Sequence, residues 1–361
     1  MAEEWQGKVF CPLTWTANGA PLVPMTMAMA RSIEAEGLDF SPTPWHRLLE
    51  LIGLAYAYHQ LSRADACEKV INCYAIILPG VHDSDCPLIK EYRPAIRHLL
   101  DGFWAMLEWE RRRKTSPLLA AFIEEITPFE ELSPRLQAAV HAVHATISKV
   151  QRDVALTHAQ LAVQKSPGEG EWHHLLGLCT GLPGSGATPA EHEAHLREAH
   201  RLRPGPHTAV TLARVLASKE KGRARELLDE ALREHPDSPY VLSLAGEVLV
   251  AIDGLNVETA TQAKRLLERC SSLIGDRGST ELKLANLCRR QGGREAEAKA
   301  HYQKAYSLGM VSAYMPGPLV GSAAPHPHFY SHAAAACMCC SRSPQPANKA
   351  PTKVERISRR K

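Results

Sequence analysis

Aromatic side chains are scarce, at 6% of the 361 residues. Runs of β-branched residues are rare as well, so an extended sheet is not expected. No apolar run approaches the ~20 residues that cross a bilayer, and "MAEEWQGKVF" at the start lacks the apolar core of a secretory leader. The ten cysteines (Cys11, Cys67, Cys73, Cys86, Cys179, Cys270, Cys288, Cys337, Cys339 and Cys340) are scattered and do not form the two spaced pairs of a zinc site. A reduced, cytoplasmic chain without membrane association is the expectation. Net charge is only +3, too small to imply a polyanion partner by itself. No Ser/His/Asp or Cys/His arrangement stands out, so neither an enzyme nor a cofactor is expected.

What is abundant is alanine, leucine, glutamate and arginine, all strong helix formers. The chain also repeats itself. "DVALTHAQLAVQKSP", "EHEAHLREAHRLRP" and "GRARELLDEALREHP" end at Pro167, Pro204 and Pro236. Each carries an alanine five residues earlier, at Ala162, Ala199 and Ala231. Leu196 and Leu228 stand eight before the proline, and Ala155 and Ala224 twelve before it. A period near 34 residues with small residues at fixed offsets and a helix-ending proline resembles the tetratricopeptide repeat, a pair of antiparallel helices. In "SPYVLSLAGEVL", Gly246 takes the position where that repeat prefers glycine for close helix contact. A further unit fits residues 279–309, with Gly292-Gly293 at the turn and Ala298, Tyr302 and Ala305 following. An earlier one fits residues 45–79, with Gly53, Tyr56, Ala66 and Pro79, and residues 96–126 read as a degenerate pair. The expected fold is all-α: a helical cap over 1–43, a superhelical array over 44–310, and a disordered Pro/Ala/basic tail over 311–361.

Several strings narrow the resemblance. "CPLTW" at 11–15 is similar to the Cys-His-Phe-Thr-Trp string of interferon-induced proteins with tetratricopeptide repeats. "LLELIGLAYAYHQLSRADA" resembles that family's first repeat, "LREAHRLRPGPHTAVTLARVL" its middle repeats, "SPYVLSLAGEVL" its Pro-Tyr-Val-Leu segment and "LKLANLCRRQ" its Gly-Leu-Cys-Tyr-Arg segment. Order and spacing agree over residues 8–308. Family members continue through several more repeats, whereas this chain leaves the pattern near Met310.

The resemblance implies a non-enzymatic antiviral effector of the cytoplasm. It implies a basic tunnel for the 5′ end of foreign RNA, triphosphate or cap, and assembly with related proteins. Phosphates call for Arg or Lys, and unpaired bases call for aromatic stacking. The family's pocket tyrosine corresponds to Tyr240, but the arginine three residues on is Ser243 here. The family's pocket lysine falls near Thr146, with Lys149 displaced, and its next arginine falls near Gly181 and Leu182. The family's early threonine and glutamine match nothing in "MTMAMARSIEAEG". The RNA-binding candidates are therefore Tyr240, Lys149, Arg152, Arg201 and Arg214, with Arg197, Arg203, Lys219, Lys221 and Arg223 as further replacements. The plain alternative for each cation is a solvated helix face. The rival function is a protein-interaction scaffold, favoured where the concave lining mixes polar and apolar residues.

Other features carry less. "WERRRKT" reads as a polar turn after a helix over 95–110, and "GLPGSGATP" as an enlarged inter-helix turn. His141 with His144, and His192 with His195, stand at helical spacing without an evident third ligand, and no metal site is expected at His332 and the cysteines after it.

Overall fold

The computed structural model describes residues 9–11, 41–63, 65–67, 70, 86–112, 116–148, 151–182 and 184–308. No strand occurs among them. The helices are α1 (Pro44–Gln60), α2 (Pro87–Arg112), α3 (Pro117–Glu125), α4 (Pro134–Ile147), α5 (Arg152–Lys165), α6 (Gly170–Thr180), α7 (Pro189–Leu202), α8 (Pro206–Leu216), α9 (Lys221–Glu234), α10 (Pro239–Asp253), α11 (Val257–Ile274), α12 (Gly278–Gln291) and α13 (Glu295–Ser307). They pack as consecutive pairs: α4 with α5, α6 with α7, α8 with α9, α10 with α11 and α12 with α13. Each pair also touches the next, which makes a tetratricopeptide-type array. The expected cap over 1–43 and tail over 311–361 fall largely outside the described residues, as do Pro79, Lys149, Cys337, Cys339 and Cys340.

Helix boundaries follow local chemistry. Thr43, Ser116, Ser133, Thr188 and Ser238 each cap a helix that opens on proline, their side-chain oxygens accepting a backbone N–H of the first turn. At α7 the reciprocal bond from Glu191 completes a capping box. The repeat prolines act as terminators: α5 ends at Lys165 before Pro167, α7 at Leu202 before Pro204, and α9 at Glu234 before Pro236. Gly292 and Gly293 turn the chain between α12 and α13 with φ of 67° and 68°, a region that favours glycine. The segment expected to leave its helix near residue 110 stays helical to Arg112, because Arg111 and Arg112 reach back to Glu108.

The repeat positions are core. Ala155, Ala162, Ala199, Ala224, Leu196, Leu228, Tyr302 and Ala305 are all buried. A Cβ on Gly246 would sit 3.2 Å from the Ala263 carbonyl oxygen and 3.4 Å from Leu267 Cγ, so the missing side chain lets α10 approach α11. Gly177 plays the same part under Leu196 in the α6/α7 pair, where a Cβ would lie 2.6 Å from Cδ2. The core is a string of separate clusters, one running from Val9 to Cys179, one from Leu196 to Ile252, and two smaller ones after it.

At the amino-terminal end Val9–Cys11 lie buried or half-buried, without helical structure, Val9 against Gly102 of α2. Phe10 inserts among Phe129, His141, His144 and His158. The third histidine comes from α5: His158 Nδ1 lies 3.0 Å from His141 Nδ1, and its ring stacks on His144 at 3.6 Å. Burial, then mutual repulsion with His158, pushes His141 down to about 4 and His144 down to about 2.

Two outcomes follow from this packing. Gly246→Leu, which overfills a helix crossing, lowers the thermal midpoint by an amount consistent with ~1–3 kcal/mol. Gly222→Ala, at an exposed helical site where a Cβ meets nothing within 4 Å, raises it slightly. Differential scanning calorimetry reads both. For pH, the unfolded chain takes up protons on these histidines near 6.5 while the folded chain does not. The stability they contribute is therefore full above pH ~6.5 and falls as pH drops toward about 4. Melting curves between pH 7 and 5 should show a shallower loss in His144→Leu than in the wild type; equal slopes would contradict this account.

Candidate functional site

The first helices of successive pairs place a polar stripe along one face of the array. His46 comes from α1, Thr146 from α4, Glu171 and His174 from α6, and His207, Thr211 and Arg214 from α8. Tyr240, Ser243 and Glu247 come from α10 and Lys283 from α12. Spacings of three, four and seven put each set on one side of its helix.

The stripe is continuous. Glu171 is fully enclosed and faces three imidazoles: its carboxylate lies 3.0 Å from His46 Nε2, 3.1 Å from His207 Nε2 and 3.7 Å from His174 Nδ1. Burial alone would raise its pKa, but the charges of His46 and His207 and the hydrogen bond from His207 hold it well below the usual carboxylate range. Burial pushes His174 down to about 4 against the pull of Glu171. His174 Nε2 lies 3.3 Å from Thr211 Oγ1, and Tyr240 stands beside the same hydroxyl. Burial raises the Tyr240 phenol; Arg214 is the nearby cation and opposes the rise. Lys283 then donates to Ser243 Oγ at 2.6 Å and pairs with Glu247 at 3.3 Å.

Of the RNA-binding candidates, the structure brings Tyr240 and Arg214 together. Arg214 is exposed, and no carboxylate pairs with it among the described residues. Arg152 opens α5, with its guanidinium beside Gly184, and Arg201 lies near the end of α7, held by Glu198 at 2.7 and 2.6 Å. Both therefore sit on second helices, away from Tyr240. Lys149 lies outside the described residues. Among the further replacements, Arg197 binds Glu193 and Glu220, Lys219 binds Glu193, and Arg223 binds Glu226. Lys221 is exposed on α9. Arg203 grips Glu169 through two bonds of 2.8 and 2.7 Å, while the Tyr92 hydroxyl donates to the same carboxylate.

Two of the three positions where the family resemblance leaves a cation missing, Thr146 and Ser243, have distinct surroundings. Thr146 borders a cavity of about 40 Å³ with His46, Glu50 and Glu171, room for a few waters and not for a chain of phosphates. Ser243 is buried but carries the ammonium of Lys283. Sequence reading missed Lys283 because it arrives from the next repeat, 40 residues away. It missed the Glu171 cluster for the same reason, although the strings "PWH", "EWHH" and "GPH" set a histidine near the start of each contributing helix. A larger open cavity, about 470 Å³, lies under the enlarged turn of 181–189, lined by Leu156, Gln160, Leu176, Ser185 and His195.

No protein-family profile matches the sequence, and no curated protein matches it. Solved structures do. The human IFIT1 dimer with m7Gppp-AAAA aligns with a TM-score of 0.60 at 14% identity, over 85% of this chain and 70% of that one. An IFIT1 monomeric mutant with Gppp-AAAA aligns at 0.42 and 16%, over 86% and 79%. Yeast Tom70 aligns at 0.39 and 14%, over 79% and 66%. At these identities the likeness to IFIT1 is one of fold: this chain is a tetratricopeptide-type helical array similar to that of IFIT1.

Proposed function

We propose that this chain is a non-enzymatic binding protein that holds single-stranded RNA along the stripe of first helices. The observation that carries the reading is Tyr240 flanked by Arg214 and Lys283 on three successive first helices, in a fold similar to an array solved with capped RNA. An aromatic face gives a base a stacking surface, and the two cations give its phosphates counter-charge. The carboxylates of Glu50 and Glu171 surround the small cavity at Thr146, so the grip falls on bases and internal phosphates more than on a 5′-triphosphate. The family resemblance extends the proposal to antiviral defence in the cytoplasm and to assembly with related arrays. Among the described residues no helix is long and apolar enough to cross a membrane.

A specific observation supports a second reading. Glu247 sits on the same stripe beside Lys283, and mixed charge suits a peptide or partner helix on a protein-interaction scaffold.

Fluorescence anisotropy with one RNA sequence, carrying either a triphosphate or a hydroxyl at its 5′ end, separates the two. Expected results are binding at low salt, less than tenfold preference for the triphosphate, and about 5- to 150-fold weakening in Tyr240→Ala, the equivalent of ~1–3 kcal/mol per stacked base. Arg214→Ala lowers the salt slope by about one, and Arg201→Ala leaves it unchanged. No binding at low salt removes the RNA reading and leaves the scaffold.

A further inference from the structure

We infer that His46, Glu171, His174 and His207 form a closed site for one zinc ion. The four residues come from three helices, α1, α6 and α8, that are not neighbours in sequence. Their ligand atoms all lie within 4.8 Å of one another. A tetrahedral zinc with bonds of ~2.0–2.1 Å requires ligand separations near ~3.3 Å. Glu171 Oε1 lies 3.0 Å from His46 Nε2 and 3.7 Å from His174 Nδ1, on either side of that value, and its Oε2 lies 3.1 Å from His207 Nε2.

A second observation points to a cation. Thr211 donates its hydroxyl proton to the His207 carbonyl at 2.7 Å. With its proton on that carbonyl, Thr211 accepts from His174 Nε2, 3.3 Å away. In the tautomer that donates Nε2–H to Thr211, the neutral ring keeps a lone pair on Nδ1. Nδ1 is buried, has no hydrogen-bond partner, and points toward the Glu171 carboxylate. A lone pair and an anion aimed at one point inside a protein are unfavourable unless a positive centre sits between them.

The donor set selects the ion. Three imidazoles and one carboxylate suit zinc and exclude magnesium and calcium, which prefer oxygen. The supporting groups resemble those that orient metal-bound histidines: Thr211 behind His174, and Thr43 Oγ1 2.8 Å from His46 Nδ1. A cavity of about 40 Å³ borders two of the four ligands, His46 and Glu171. Four protein ligands leave no open position, so the role is structural: the ion ties α1 to α6 and α8.

The test uses the full chain stripped of metal by chelator dialysis. Zinc is titrated in competition with a chelating dye, and cobalt(II) reports ligand type by its visible spectrum. The expected result is one tight equivalent of zinc, tetrahedral cobalt bands without thiolate charge transfer, and a zinc-dependent rise in melting temperature. His174→Ala and His207→Ala weaken this equivalent at least 100-fold, and Thr211→Val weakens it about tenfold. An unchanged tight equivalent in His174→Ala, or thiolate bands that assign the metal to cysteine, overturns the site. If the histidine variants misfold by circular dichroism, the wild type decides: no tetrahedral cobalt spectrum and no thermal shift overturns it.

Discussion

The constraint on which the amino-terminal half depends is the enclosure of two carboxylates at the start of α6. Glu169 and Glu171 are both buried, and a buried anion is tolerated only with partners in close geometry. Glu169 takes Arg203 from the end of α7 and the Tyr92 hydroxyl from α2. Glu171 takes His46 from α1 and His207 from α8. The two side chains thus draw four other helices toward the first turn of α6. Around them Trp45, Tyr92 and Trp172 pack with ring centroids 5.1–6.1 Å apart, shielding the pairs from water. Removing one partner would strand charge in a dry interior, so the ring of partners is mutually obligatory.

This arrangement bears on where positive charge is available. Most of the cations that the sequence offers lie on second helices and are engaged by carboxylates one turn away or in the next pair. Exposed pairs of this kind contribute little to stability. They do neutralise much of the exposed charge, and they leave Arg214 as an exposed cation near Tyr240. Lys283 completes the set, although Glu247 shares its ammonium.

The array was legible because its signal is local and periodic. Alanines five before a proline, Ser/Thr-Pro helix starts and Gly246 each reflect one pair of helices in contact, within a window of about 34 residues. Ser-Pro at 133–134 and Thr-Pro at 188–189 became caps as their chemistry requires. The candidate site was legible only in part. Tyr240 and Arg214 are recoverable because each stands in a repeat with a readable register. Lys283 on Ser243 and the three histidines around Glu171 are not, since they depend on which side of each helix faces its neighbour and on how α1 docks against α6. The direction of Arg201 also could not be read: its i−3 partner Glu198 is visible in the sequence, but the helix face is not.

The division of the hydrophobic interior into separate clusters has a thermodynamic consequence. Each island is joined to the next by a modest interface, so opening is not all-or-none, and the α12/α13 pair, with its small cluster, can come apart while the Val9–Cys179 region stays closed. Tyr240 and Lys283 stand on α10 and α12, which are joined through the small cluster of Val250, Ala263 and Leu284. A ligand that touches both would be sensed as cooperativity, converting a frayed row of partly autonomous units into a single melting body.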